Sequence, residues 1–220
     1  MAKNLIITND GSHTLFDKEI NECYHSKHGA IIEAMHVFIK NGIFAVDKQN
    51  LNILEIGFGT GLNALLTAQK SKEKSIKINY NTIELYPIEA KYYTKLNFSK
   101  LMGIDKKELE FLHSCSWDIK HKISSYFNFK KKHISVEDYN TTKKYDIIYY
   151  DAFSPRKQPE MWEKKIFSKM YKFLKNDGFL VTYCAKGDIK RTLKECGFRI
   201  IALDGPPGKR QITRANKNLN

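Results

Sequence analysis

Short apolar blocks alternate along this chain with longer stretches of helical spacing. Residues 51–56, 77–83, 145–150, 179–184 and 198–203 are compact runs rich in Ile, Leu, Tyr and Phe and have the length of strands. Residues 64–70, 87–97, 160–174 and 186–196 read as the helices between them. Further strands are predicted at 132–136 and 211–215, and Asn176, Asp177 and Gly178 are read as a turn leading into the strand at 179. Near the start, Asn9-Asp10-Gly11-Ser12 separates two strand-like runs at 6–8 and 13–16, which signals a hairpin. A helix follows with Ile31, Ile32, Met35, Phe38 and Ile39 on its apolar positions, stopped by Asn41 and Gly42. Strands alternating with helices predict an α/β fold, a mainly parallel sheet with helices on both faces, carrying a small N-terminal β appendage. Residues 1–45 are assigned to the hairpin-and-helix extension and 46–220 to the main domain. No internal repeat, low-complexity tract or linker interrupts the chain.

The strand at 51–56 runs into Gly57-Phe58-Gly59-Thr60-Gly61-Leu62-Asn63 and then into a helix. Glycines suit such a turn because it needs positive φ and close approach of backbone to a ligand. A turn that binds nothing has the same outline, but three alternating glycines weaken a turn with no ligand to admit. The spacing departs from the dinucleotide pattern G-x-G-x-x-G, since the third glycine comes one residue early and Glu55 stands two before the first. That arrangement resembles motif I of class I S-adenosylmethionine methyltransferases. The resemblance implies that Glu55, Gly57, Gly59, Gly61 and Asn63 bind S-adenosylmethionine, with the carboxylate beside the cofactor's ammonium end. Glu84 closes the next strand, where an acid can accept both hydroxyls of a ribose. Class I methyltransferases commonly hold the adenine amine with a carboxylate after the third strand, the place of Glu137 and Asp138. Trp117 and Asp118 are expected in a loop over the cofactor.

Composition narrows the setting. The 220 residues suit one α/β domain with a small extension. Cys23, Cys115, Cys184 and Cys196 lie at scattered spacings, so neither a disulfide framework nor a zinc site is indicated and a reducing cytoplasmic interior is expected. Cys23, His25 and His28 lack a fourth ligand nearby, and no metal is expected there. Neither a signal segment nor 18 consecutive apolar residues occurs, which predicts a protein that is not secreted and does not span a membrane. The net charge of +13 asks for a polyanionic partner, although 32 lysines to 5 arginines also fits a coding bias. Residues 145–220 carry 16 Lys and Arg against 8 Asp and Glu, including every arginine, so a nucleic-acid surface is favoured there.

The strand at 145–150 delivers Asp151-Ala152-Phe153-Ser154-Pro155 at its carboxyl end, where ligands of open α/β sheets collect. Methyl transfer to an amine needs a lone pair aimed at the methyl group, and a carboxylate can orient the amine and stabilise the ammonium that develops. An ordinary strand-ending turn with a core phenylalanine fits the same five residues. Phe153 is suited to stack on a base lifted out of an RNA loop.

Four stretches together resemble the MnmC-type tRNA methyltransferases: Tyr24, Ser26, Gly29, Glu33, Val37 and Phe38; Gly57 to Asn63; Asp151, Phe153, Pro155, Pro159, Glu160, Met161 and Trp162; and Gly205, Gly208, Lys209 and Arg210. The resemblance implies methyl transfer from S-adenosylmethionine to the exocyclic amine of 5-aminomethyl-(2-thio)uridine at the wobble position of tRNA. It makes Asp151 the catalytic residue and implies that Phe153, Pro155, Lys209 and Arg210 bind substrate; the last two hold phosphate or stabilise their loop. It also moves Glu33 from the solvent face, which its spacing suggests, into the cofactor cleft. With no room for the FAD-dependent oxidase of the bifunctional form, a stand-alone methyltransferase acting as a monomer is expected. Aminopropyl transfer, which uses the same fold and an Asp after the fourth strand, needs an acidic pocket, and the excess of Lys and Arg around the motif opposes it. A non-catalytic tRNA- or nucleotide-binding module is the remaining alternative, with an NAD-linked oxidoreductase disfavoured by the glycine spacing.

Overall fold

The structure is a computed structural model and describes residues 3–217. Strands β1 (Lys3–Ile7) and β2 (His13–Asp17) form the predicted hairpin, and β3 (Glu22–Cys23) extends it to a three-stranded antiparallel sheet. Asp10 shapes the turn: its Oδ1 accepts hydrogen bonds from Thr8 Oγ1 at 2.7 Å and Ser12 N at 3.0 Å. Helix α1 (Ala30–Ala34) continues as a π-helical turn over Met35–Lys40 and buries Val37, Phe38 and Ile39.

The main sheet begins with β4 (Asn50–Ile56), α2 (Leu62–Glu73) and β5 (Lys77–Glu84). Three short helices follow, α3 (Ala90–Tyr93), α4 (Phe98–Met102) and α5 (Lys106–Ser114), then β6 (His121–Lys122), β7 (Phe127–His133) and β8 (Tyr145–Tyr150). A 3-10 turn at Pro159–Trp162 leads to α6 (Lys164–Phe173), β9 (Leu174–Thr182), α7 (Gly187–Glu195), β10 (Phe198–Asp204) and β11 (Gln211–Lys217). The eight strands lie in the order β10-β11-β9-β8-β4-β5-β7-β6. The block from β9 to β7 is parallel, and β11, β10 and β6 are antiparallel to their neighbours. The mainly parallel α/β sheet expected from the alternation is therefore present. Leu15, Val37 and Phe38 from the first 45 residues share one apolar cluster with Ile53, Leu65, Tyr80 and Tyr149 of the main sheet. No helix among the described residues is long and apolar enough to cross a membrane.

Three elements differ from the sequence reading. The helix expected over 87–97 shrinks to Ala90–Tyr93, because Asn97 serves the hairpin instead: its side chain accepts from His13 N at 2.8 Å and donates to Gly11 O at 2.9 Å. The strand expected at 132–136 lies at Phe127–His133, where Lys131 takes an inward position that its charge disguises. Its ammonium reaches the His113 carbonyl and sits 4.4 Å from the centre of the Trp117 ring. Trp117 is therefore bound up with Lys131 and His133, away from the ligand cleft. The turn expected at 176–178 is absorbed into β9, where Gly178 lets the strand pass the carbonyls of Tyr145 and Asp146; a Cβ there would sit 2.9 Å from each oxygen.

Gly42, which ends the first helical segment, is held where a Cβ would stand 2.0 Å from the Phe38 carbonyl oxygen and 2.8 Å from the Tyr149 ring. Gly42→Ala is expected to destabilise the fold by about 1–3 kcal/mol through overpacking. The urea midpoint measures this, and an unchanged midpoint would contradict the packing described.

Candidate active site

The carboxyl ends of β4, β5 and β8 open onto a cleft of about 790 Å³, of the size that holds a cofactor-sized ligand. The glycine turn forms its floor. Gly57, Gly59 and Gly61 all have positive φ, 87°, 49° and 75°. Gly57 passes so close to the neighbouring strand that a Cβ would lie 2.7 Å from the Asp151 carbonyl oxygen. Gly57 N donates to Ile83 O at 3.1 Å and Asp151 N to Ile56 O at 3.0 Å, so the ends of the three central strands are tied in one place.

Thr60, at the crest of the turn, is held from two sides. His25 bridges its hydroxyl at 3.2 Å to that of Thr14 at 3.2 Å, linking the turn to the N-terminal hairpin. His113 Nε2 donates to the Thr60 carbonyl at 3.0 Å. Burial pushes both imidazoles down to about 4, so each is neutral near pH 7.

Asp151 follows β8 and faces the cleft. Asn63, in the first turn of α2, donates its Nδ2 to Asp151 Oδ2 at 2.8 Å. Burial, with a further contribution from the Glu33 carboxylate, raises the Asp151 carboxyl to about 7, opposed by the hydrogen bond from Asn63 and by Lys209. Glu33 is buried and accepts a hydrogen bond from Ser26 N at 3.0 Å. Its second oxygen pairs with Lys209, whose ammonium lies 4.1 Å from the centre of the Tyr183 ring. Glu33 therefore does not face solvent, as its spacing suggested; α1 turns it inward to meet the loop at 205–210.

Residues 152–154 are fixed through their backbone. Tyr183 OH donates to Ala152 O at 2.9 Å and Trp162 Nε1 to Phe153 O at 2.7 Å. Phe153 N donates to Gln158 Oε1 at 3.3 Å and Ser154 N to Glu22 Oε2 at 3.0 Å. The Phe153 ring lies edge-on to Tyr24, centroids 4.9 Å apart, at the cleft wall.

Of the residues singled out from the sequence, the fold brings Glu33, Gly57, Gly59, Asn63, Glu84, Asp151, Phe153 and Lys209 to the cleft. Glu84 Oε2 accepts from Gly59 N at 3.0 Å and Oε1 from Tyr86 N at 2.8 Å. Pro155 and Arg210 lie outside the lining, as does Gly61, which starts α2 in the left-handed region. Glu55 is wholly buried beneath the glycine turn and does not reach the cleft. Asp138 turns back to accept a hydrogen bond from Ser135 Oγ at 2.7 Å, and its neighbours Ser135, Val136 and Glu137 line the cleft in its place.

Several lining residues were not legible as site residues. Tyr183 comes from the end of β9 and Glu22 from the hairpin sheet, and nothing in their sequence surroundings marks a ligand. The charge of the site also differs from that of the chain: eight carboxylates line the cleft against four lysines. The excess of Lys and Arg counted along the sequence lies elsewhere on the surface, and the cleft itself suits a cationic amine.

Residues 115–218 match the family described as S-adenosyl-L-methionine-dependent methyltransferase. The chain is 28% identical, over 98% of its length, to an uncharacterized protein of Methanocaldococcus jannaschii, of which it spans 60%. It is 28% identical over 96% of its length to the tRNA 5-methylaminomethyl-2-thiouridine biosynthesis bifunctional protein MnmC of Cupriavidus metallidurans, and spans 33% of that protein. The solved structure of MNMC2 from Aquifex aeolicus superposes with a TM-score of 0.77 at 22% identity, covering 100% of this chain and 70% of that one. The fold is thus that of the class I methyltransferases, and the chain resembles MnmC over nearly its whole length.

The two neutral histidines predict an acid-sensitive turn. Each keeps a native value near 4 against an unperturbed 6.5, so the unfolded chain takes up protons first as pH falls. Their contribution to stability is complete above pH about 6.5 and is lost between there and about 4, on the order of 3 kcal/mol for each ring. Thermal unfolding measured across that window should show the loss, and His25→Asn should lessen its steepness; equal slopes would argue against a neutral His25.

Proposed function

We infer that this S-adenosylmethionine-dependent methyltransferase places its methyl group on the exocyclic amine of 5-aminomethyl-(2-thio)uridine at the tRNA wobble position, giving the 5-methylaminomethyl nucleoside. The observation that carries this reading is the Asp151 carboxyl group, held by Asn63 beside the glycine turn and facing an acid-lined cleft. The likeness to MnmC supports the choice of substrate.

The residues present fit the cofactor. The glycine turn offers a surface that side chains would fill, since a Cβ at Gly59 would meet the Tyr24 ring at 3.2 Å. A carboxylate has about four acceptor positions, and backbone amides occupy one on each oxygen of Glu84, which leaves both oxygens able to accept from ribose hydroxyls. Glu84, Gly57 and Gly59 would hold the nucleoside end, with Ser135 to Glu137 beside the base. When bound, S-adenosylmethionine supplies an electrophilic methyl group on sulfur.

The chain supplies position and charge. Asp151 accepts a hydrogen from the substrate amine, orients its lone pair and stabilises the ammonium that forms. Phe153 offers its ring to the uracil base. Lys209 clasps Glu33 and so supports the cleft wall, while exposed Arg210 on the same loop meets RNA phosphate. The excess of carboxylates in the cleft also favours a second reading, aminopropyl transfer to a polyamine. Incubation with decarboxylated S-adenosylmethionine and putrescine decides it: formation of spermidine would establish that reading.

The primary test is incubation with labelled S-adenosylmethionine and tRNA carrying 5-aminomethyl groups, followed by nucleoside mass spectrometry. The methylaminomethyl nucleoside is expected, and its absence with a folded, cofactor-binding protein would overturn the assignment. Asp151→Ala should lower turnover by about 10²-fold or more while the cofactor still binds. Because the carboxyl group titrates at about 7 and only its ionised form accepts the amine hydrogen, single-turnover rates should rise through that pH. A flat profile would contradict this role.

A further inference from the structure

Beneath the glycine turn lies a buried polar cluster of which only Asn63 lines the cleft. Glu55 on β4 pairs in register with Thr82 on β5 and Tyr149 on β8, so the three side chains share one face of the sheet. Tyr80 lies two residues before Thr82 on that face, and Asn63 and Thr67, one helical turn apart, come down from α2. All six residues are buried, Glu55 completely. Both Glu55 oxygens, Asn63 Oδ1 and the hydroxyls of Tyr80, Thr82 and Tyr149 have no hydrogen-bond partner in the arrangement found. A buried carboxylate and an amide oxygen left in this state would each cost free energy, because both only accept.

The Asn63 amide decides how the cluster resolves. Its Nδ2 donates to Asp151, its Oδ1 has no partner, and the side chain lies within hydrogen-bonding reach of Glu55. The groups that face Glu55 are the hydroxyls of Tyr80, Thr82 and Tyr149, the Asn63 amide and, beyond it, the Asp151 carboxyl group; none is a cation. An ionised Glu55 would thus be a buried anion with no counter-charge, near a second carboxylate. We propose that Glu55 is a neutral positioning residue whose carboxyl proton is donated to Asn63 Oδ1, locking the Asn63 amide with its Nδ2 on Asp151. The second Glu55 oxygen then accepts from the Thr82 or Tyr80 hydroxyl, which rotates to suit.

Burial raises the Glu55 carboxyl well above its ordinary value, in keeping with a retained proton. The acid that begins the glycine motif therefore acts through Asn63 on Asp151 and not on the cofactor. If the amide flips, an oxygen faces Asp151 and the carboxylate loses a donor. The Asp151 carboxyl then holds its proton to higher pH and the amine is less well aimed.

This inference rests on the proposed methyl transfer for its kinetic arm only; its spectroscopic arm does not. Infrared spectra of the wild-type protein above pH 8, where Asp151 is ionised, should retain the carbonyl stretch of a protonated carboxyl group, and that band should vanish in Glu55→Gln. A wild-type spectrum without the band would overturn the proposal whatever the substrate proves to be. In the kinetic arm, Glu55→Ala should lower kcat by about tenfold to a hundredfold and move the pH midpoint upward, with cofactor affinity by calorimetry little changed. Glu55→Gln, whose amide nitrogen donates as the acid does, should recover most of the rate and the wild-type midpoint. An ionised cofactor ligand gives the opposite pattern: Glu55→Gln would weaken cofactor binding as much as Glu55→Ala does, and that result would overturn the proposal.

Discussion

The close passage of Gly57 across the Asp151 main chain governs the geometry of the whole site. Because no side chain separates β4 from β8 there, the glycine turn and the Asp151 carboxyl group are set side by side by backbone alone. Hydrogen bonds from Gly57 to β5 and from Asp151 to β4 then make the relative height of the three strand ends a property of the sheet. The first turn of α2 inherits its position from the same turn, and Asn63 on it meets Asp151. A site built on strand ends in this way needs little help from loops to be rigid, which the proposed methyl transfer requires, since catalysis there is mostly a matter of aim.

Around this rigid centre the rest of the chain supplies walls of two kinds. The hairpin sheet is coupled to the turn through His25, while the segment after Asp151 is held by Tyr183, by Gln158 and Trp162 of one short turn, and by Glu22, drawn from three separate places. Most of these bonds are to main-chain atoms, so they fix the path of the backbone and leave the Phe153 ring free to present its face. The acid lining and the basic surface are separate: carboxylates outnumber lysines in the cleft, and the excess of lysines lies elsewhere on the chain.

The sheet, its largely parallel sense, the hairpin and the glycine turn were legible because each rests on local signals: apolar runs, an Asp-Gly turn, alternating glycines. Lys131 shows where that reading fails, since a buried ammonium satisfied by a distant carbonyl and an indole ring looks, in sequence, like any member of a basic run. Asn97 fails for a related reason: its partners lie more than 80 residues away, in the hairpin. Asp151 stood out because it follows a short, mostly apolar strand, but the burial that raises its carboxyl group depends on the packed site around it. Glu55 was visible as an acid beside a ligand turn, yet its place under the turn follows from strand register, which composition does not reveal. The helical spacing around Glu33 pointed to solvent because its partner, Lys209, lies 176 residues away in the loop between β10 and β11.

The pairing of Lys209 with Glu33 joins residues 176 positions apart. Gly208 presses against His28 at the same seam, leaving no space for a Cβ. Contacts of such long range form late, after the loops they close have been ordered. The seam therefore makes one wall of the cleft depend on two segments far apart in sequence, so that a change in either is felt at Glu33.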